Sequence, residues 1–135
     1  SPEMALLRFE GDWGKAGEER RYMLWLPPEA TVGRPIQAAV YDENISSRYI
    51  SFSGLDVTEG NFMVNGKPLI EPGSYASLPF QGSVAVYSAA PGHLTCWTLD
   101  LSAHITSPGR YKIRYGLGDV HSNEAVVVVH EAPPK

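Results

Sequence analysis

The stretch Ala103–Tyr115, Ala-His-Ile-Thr-Ser-Pro-Gly-Arg-Tyr-Lys-Ile-Arg-Tyr, decides the fold of this chain. After Pro108-Gly109, aromatic or apolar residues alternate with basic ones. The first set is Tyr111, Ile113 and Tyr115, and the second is Arg110, Lys112 and Arg114. Successive side chains of a β-strand point to opposite faces of a sheet. The alternation therefore predicts a strand with one buried face and one basic face turned to solvent.

Three positions around Tyr111 form a pattern. Ile105 is the apolar residue six positions before it, Gly109 the small residue two before it, and Ile113 the apolar residue two after it. This pattern resembles the tyrosine corner that opens strand F in immunoglobulin-like and fibronectin type III sandwiches. The resemblance implies an all-β fold, an antiparallel immunoglobulin-like β-sandwich of about seven to nine strands. It also implies that Tyr111 is buried, with its hydroxyl group bonded to backbone a few residues upstream.

The composition fits that fold and a single domain. We expect one sandwich domain over residues 1–130 and a linker-like tail over residues 131–135, because 135 residues suffice to bury a core. The 13 glycines and 11 prolines suit short strands joined by turns. Cys96 is the only cysteine, so an internal disulfide is impossible. A missing disulfide fits a cytosolic protein and a bacterial secreted one equally well. We predict an extracytoplasmic or secreted protein, and a cytoplasmic one stays open.

Several function classes find no support in the sequence. A formal net charge of -4 argues against a nucleic-acid partner, and the chain has no run of 18 apolar residues, so we predict no membrane span. His93 and Cys96 have the spacing of zinc ligands, but zinc needs four ligands and the sequence has no second such pair. We therefore predict no metal and no cofactor. Cys96 lies within a predicted strand and is expected to be a solvent-shielded thiol rather than a nucleophile, so we predict no enzymatic activity.

Three further segments carry patterns that a structure can test. Asn65-Gly66 predicts a type I′ hairpin, because both central residues of that turn need a positive φ. Arg20–Leu26 has apolar residues in both phases, which predicts a strand covered on both faces. Arg48–Ser53 alternates cleanly and is expected beside the corner strand, with Tyr49 and Ser51 on the basic face.

The segment Gly116–Asn123 is the candidate contact loop. In sandwiches the strands are committed to the core, while the loops at the two ends are free to vary. The candidate binding residues are Leu117, Val120 and His121, with Lys112 and Arg114 nearby on the corner strand. Apolar residues in a turn suggest a partner, but an ordinary hairpin loop with Leu117 turned inward accounts for them equally well.

The basic face of the corner strand has two interpretations. On a chain that is acidic overall, Arg110, Lys112 and Arg114 can recognise an anionic partner. They can also form a solvated face that is paired with Glu124 or Asp42. Of the two, the sequence favours the solvated face.

The sequence thus favours a non-catalytic interaction or accessory domain of a larger protein, one that binds a protein partner through its loops. A carbohydrate-binding module is the first alternative, and it requires an exposed aromatic residue such as Trp13 or Tyr75. A protease inhibitor that presents the segment Leu69–Pro79 is the second. Asn44-Ile45-Ser46 is also a glycosylation sequon, which matters only in a secreted eukaryotic protein.

Overall fold

The computed structural model describes residues 13–52, 60–71 and 87–134 of the chain. Within these ranges the chain forms eleven β-strands and no helix. The strands are β1 (Arg20–Trp25), β2 (Glu29–Thr31), β3 (Gln37–Asn44), β4 (Ile50–Phe52), β5 (Asn61–Val64), β6 (Lys67–Pro68), β7 (Tyr87–Ala89), β8 (Leu94–Asp100), β9 (Gly109–Leu117), β10 (Val120–His121) and β11 (Ala125–His130).

Two sheets make up the sandwich. The first sheet has the order β1-β3-β8, and the second has the order β2-β11-β9-β5-β6, with β10 beside β9. A separate two-stranded ladder joins β4 and β7. The described pairings are antiparallel except that of β2 with β11, which is parallel. The first described strand, β1, thus lies in the first sheet, and the chain then crosses through Pro27-Pro28 to β2 at the edge of the second.

The core lies between the two sheets and consists of alternate side chains of the strands on either side of it. The first sheet contributes Tyr22, Leu24, Ala38, Val40, Trp97 and Leu99, and the second contributes Phe62, Ile113, Tyr115, Val127 and Val129. Within the core, the Tyr115 ring meets Tyr22 edge-on across the two sheets at a centroid distance of 5.2 Å. This edge-to-face geometry is the arrangement that aromatic pairs prefer.

The corner strand has the predicted faces and the predicted hydrogen bond. Ile113 and Tyr115 are fully buried, while the three basic residues between and before them are exposed. The Tyr111 hydroxyl donates to the backbone carbonyl of Ser107 at 2.7 Å. The expected burial of Tyr111 is wrong, because its ring lies at the start of β9, where it packs against the margin of the core and stays half-buried. Gly109 lies between Ser107 and Tyr111, within the segment that this bond closes, and has φ +153°, which favours glycine.

β1 is covered on both faces, as its two apolar phases predict. Tyr22 and Leu24 point into the core, while Met23 belongs to a second apolar cluster on the outer side of the first sheet. The second cluster contains buried Met23, Ala39 and Tyr41, with Trp13, Trp25 and Leu94 packed against them. The first sheet is therefore apolar on both sides over β1 and β3.

The Asn65-Gly66 hairpin also forms as predicted. The two residues have φ 50° and 81°, as a type I′ turn requires, and Val64 pairs with Lys67 on either side of them. Asn65 extends the ladder to β9, because its side-chain Oδ1 accepts from the Lys112 amide and its own amide donates to the Lys112 carbonyl, both at 2.9 Å.

Two expectations are wrong. The strand within Arg48–Ser53 is β4, which pairs with β7, whereas β9 has β5 and β11 as its neighbours. Tyr49, 70% exposed, therefore does not lie on the basic face. Cys96 is in the middle of β8 but is exposed rather than solvent-shielded. Trp97 points into the core, so Cys96 points to the outer side of the first sheet, where the second cluster buries Tyr41 opposite it but does not cover Cys96 itself.

Candidate functional site

The predicted contact loop is a short hairpin. β9 continues to Leu117, Gly118-Asp119 forms the turn, and β10 returns, with Val120 opposite Leu117 and His121 opposite Gly116. Gly118 has φ +60° at the first central position, which is the requirement of a type II′ turn. The sequence signal for this turn is the glycine itself.

Leu117 and Val120 pack against the core. Both are half-buried and contact the main apolar cluster between the sheets. They share the inward face of β9 and β10, because directly opposite residues of an antiparallel pair lie on the same side of the sheet. Their apolar character is thus accounted for within the domain.

The segment 13–19 lies across the back of this hairpin. A Cβ atom at Gly14 would collide with the His121 carbonyl oxygen and the Ser122 backbone, so only glycine permits this approach. A Cβ at Gly17 would lie 2.6 Å from Cγ2 of Val120. The Gly14 amide donates to the Tyr22 carbonyl at 3.2 Å, which holds the segment along the edge of β1.

Asn123 ties the hairpin to the first sheet. Its Oδ1 accepts from the Leu24 amide at 2.8 Å, and its Nδ2 donates to the Leu24 carbonyl at 3.1 Å. The preceding Ser122 is buried and occupies the ladder beside β9: its amide donates to the Tyr115 carbonyl at 2.7 Å, and its Oγ accepts from the Tyr115 amide at 2.9 Å. Sequence reasoning missed both residues, since a Ser-Asn pair after a turn has no specific long-range signal.

The polar members of the predicted site lie on the opposite, outward face. His121 stands opposite Gly116, in the same phase of β9 as Lys112 and Arg114. It is half-buried, with Nδ1 3.0 Å from the Ser122 carbonyl oxygen. The structure therefore separates the predicted site into an inward apolar pair and an outward polar group.

Arg110, Lys112 and Arg114 form a row of three exposed cations on the outward face of β9, the basic stripe. Each stands directly opposite an apolar residue of a neighbouring strand. The pairs are Arg110 with Val128, Lys112 with Val126, and Arg114 with Met63. All three apolar partners are half-buried. The sequence did show the stripe, but these flanking residues follow only from the strand register.

The predicted ion pairs of the stripe are not formed. Asp42 is fully buried on β3 in the first sheet, and Glu124 is exposed beyond the start of β11. In the described ranges, ion pairs join Arg21 to Glu43, Arg48 to Glu19 and His130 to Glu29, and none reaches the stripe. Among the described residues, then, none of the three cations forms an ion pair.

Trp13 has a different environment from the one its sequence context suggested. It is half-buried against the second apolar cluster, and the guanidinium carbon of Arg21 lies 4.0 Å from its ring centroid. The Arg21 Nε also donates to Glu43 at 2.7 Å, which holds the guanidinium over the indole. One face of the ring is thus taken by a cation–π contact.

Two other sequence motifs have structural roles. The Asn44 side chain is fully buried and donates to the Arg48 and Ala89 carbonyls at 2.9 and 3.0 Å, so the sequon nitrogen is not accessible to a glycan. Asp100 accepts from the Ile36 and Ser102 amides, each at 2.9 Å, and these bonds hold the pKa of its carboxyl group below the ordinary 3.8.

Nothing in the described ranges points to a metal centre or to a membrane helix. Among these residues there is no group of three or more His, Cys, Asp or Glu side chains that could hold a metal ion. Among them, too, no helix has the length and apolar character needed to cross a membrane.

Known structures of similar fold were found by comparison of the structure, but not by comparison of the sequence. The sequence matches no protein-family model and no curated protein. The structure is similar to the crystal structure of a CARDB domain from Pyrococcus furiosus in complex with di-metal ions, at 14% identity and TM-score 0.52, over 85% of this chain and 97% of that one. It is also similar to part of a beta-glucosidase from Listeria innocua in complex with isofagomine, at 16% identity and TM-score 0.51, over 90% of this chain but 17% of that one. Together with the strand order and the tyrosine corner, these likenesses show an all-β, immunoglobulin-like β-sandwich.

Proposed function

We propose that this chain is a non-catalytic accessory domain of a larger, extracytoplasmic protein, and that it binds a protein partner through the outward face of its second sheet. The observation that carries the proposal is the basic stripe. Its three cations are exposed, have no carboxylate partner among the described residues, and lie beside half-buried aliphatic side chains. Charge of one sign on a mixed apolar surface favours recognition of a partner with the opposite charge.

The hairpin's part in this function is to position the stripe. Leu117 and Val120 anchor the end of β9 to the core, so they contribute rigidity rather than contact area. His121, Lys112 and Arg114 remain on the outward side as the residues that meet the partner. Contact then involves a sheet face as well as the loop end that the sequence favoured.

An accessory role beside a carbohydrate-active domain is the second candidate. It is supported by the likeness to a part of the beta-glucosidase. Direct sugar binding by Trp13 is less favoured, because Arg21 covers one face of the indole. Tyr75 and most of the segment Leu69–Pro79 lie outside the described residues, so the inhibitor alternative stays a prediction; Leu69 itself packs against the core.

A site-specific photo-crosslinker tests the protein-binding proposal. The crosslinking amino acid is placed at Lys112 in the full-length protein, and at exposed Arg34 as the matched control, in extracts of the source organism. We expect a discrete protein adduct from position 112 alone. Excess wild-type domain should suppress it, whereas the R110Q/K112Q/R114Q domain should not. Absence of the adduct, or equal labelling at both positions, would refute the proposal.

A further inference from the structure

Resting on the proposed function, we infer that the partner presents an extended acidic segment, with carboxylates at alternate residues, that lies along β9. The segment's carboxylates meet the basic stripe of Arg110, Lys112 and Arg114 one by one. The inference names the partner's chemistry, which the proposed function leaves open.

The spacing of the stripe favours an extended segment. Residues two apart on a strand are separated by about 6.6–6.8 Å, so the three cations span about 13 Å. An extended polypeptide has the same repeat, and alternate Asp or Glu side chains therefore stay in step with all three cations. Three residues on one face of a helix, at i, i+3 or i+4, and i+7, span only about 10.5 Å and fall out of step.

The flanks of the stripe favour a polypeptide over a nucleic acid. Val126, Val128 and Met63 stand directly opposite the three cations and are aliphatic. Proteins that bind single-stranded nucleic acid stack the bases on aromatic side chains, and the described outward residues of β5, β9, β10 and β11 beside the stripe include no Phe, Tyr or Trp. Aliphatic neighbours also keep water from the ion pairs, which strengthens them through the lower local dielectric constant.

The rest of the chain directs an acidic segment to this face. Apart from the three cations of the stripe, the chain has eight basic residues against fifteen acidic ones. An acidic segment is therefore attracted to the stripe and repelled over most of the remaining surface. The same imbalance argues for one defined site rather than diffuse association.

Amide chemical shifts of the isotope-labelled domain measure binding of two seven-residue probe peptides in low salt. One peptide has three Glu residues alternating with Thr and Ser, and the other has the same composition with the three Glu residues adjacent. We expect the alternating peptide to bind several-fold more tightly and to shift β9 amides. The R110Q/K112Q/R114Q variant should weaken its binding by about tenfold, since an exposed ion pair contributes a factor of roughly 1.5–5. The control variant K15Q/R34Q/K67Q removes three exposed cations outside the stripe and should bind normally.

Each other outcome overturns the inference. Equal binding of the two peptides would refute the spacing argument. Equal losses of peptide affinity in the two triple variants would show that the basic stripe is not the binding site. Tighter binding of an oligothymidylate on the same amides would identify a nucleic-acid surface, and concentration-dependent dimerisation lost in R110Q/K112Q/R114Q would identify a second copy of the chain. If the crosslink at Lys112 persists while neither peptide binds, the proposed function stands and only the extended acidic segment is wrong.

Discussion

Replacing Asn123 by Ala should destabilise the domain more than any surface change near it. The Asn123 side chain bonds to both backbone groups of Leu24, a residue 99 positions away in the first sheet. Leu24 is buried on β1, which pairs with β3 along one edge. On the other edge, the Asn123 side-chain amide makes the two hydrogen bonds that a neighbouring strand would otherwise make. The substitution leaves one N–H and one C=O group without these partners.

The expected loss follows from those two hydrogen bonds. Each contributes about 1 kcal/mol net, and a backbone group left unpaired in a buried site costs about 1–3 kcal/mol. Because water can reach part of the edge, we expect a loss of about 2–4 kcal/mol in the free energy of unfolding. Unfolding entropy is about 2.1 cal/mol/K per residue. For 135 residues, 1 kcal/mol then corresponds to about 3.5 °C, and the melting temperature should fall by about 7–14 °C.

Urea unfolding followed by tryptophan fluorescence measures the change, with thermal unfolding by circular dichroism as the second readout. Glu124→Ala is the matched control, because it truncates the adjacent, exposed residue and should change stability by less than about 0.5 kcal/mol. A loss for Asn123→Ala no larger than that of the control would refute the reasoning. It would mean that water hydrogen-bonds to the Leu24 backbone groups as well as the Asn123 side chain does.

Three further predictions follow from single contacts. Tyr111→Phe should cost about 0.5–1.5 kcal/mol in urea unfolding, because its bond to Ser107 is strong but accessible to water; a neutral result would show that the corner hydroxyl is dispensable. A thiol reagent should label exposed Cys96 in the native protein, and protection until unfolding would contradict the structure. The lowered pKa of Asp100 contributes stability that is present above about pH 4 and lost as the pH falls through the folded value. In Asp100→Asn, the free energy of unfolding should therefore fall less steeply as the pH is lowered. An unchanged slope would mean that other groups cause the loss of stability in acid.

The sequence predicted those features that are determined within a few residues. Alternation along β9 separated Ile113 and Tyr115 from the cations, and the pattern around Tyr111 predicted its bond to the upstream backbone. Asn65-Gly66 predicted a type I′ turn because few other residues accept two positive φ angles. In each case the decisive chemistry lies within one strand or one turn.

Features that depend on strand pairing could not be predicted in the same way. The alternation of β4 is as regular as that of β9, and nothing in it indicates β7 rather than β9 as its neighbour. The wrong prediction that Cys96 is shielded from solvent has a related cause. Its position within a strand follows from the sequence, but whether the outer face of that strand is covered depends on segments remote in the sequence.

The candidate site depends both on a local sequence pattern and on strand pairing. The cations were visible in the sequence, whereas their surroundings were not. The surroundings of a cation depend on the residue opposite it, and here the register places Val128, Val126 and Met63 opposite the three cations. Asp42, considered as a partner, proved to belong to the other sheet.

The register that creates this surface has its own physical cause. The run Ala125–Val129 is apolar in both phases, so its hydrophobic pattern does not decide which valines face the core, and a slip of one residue would exchange Val126 for Val127 at small cost in burial. What prevents the slip lies just before the run. The tight turn at Gly118, the ladder bonds of Ser122 and the link from Asn123 to the first sheet fix the chain before β11 begins. The surroundings of the basic stripe are thus set by the hairpin that the sequence presented as the binding loop.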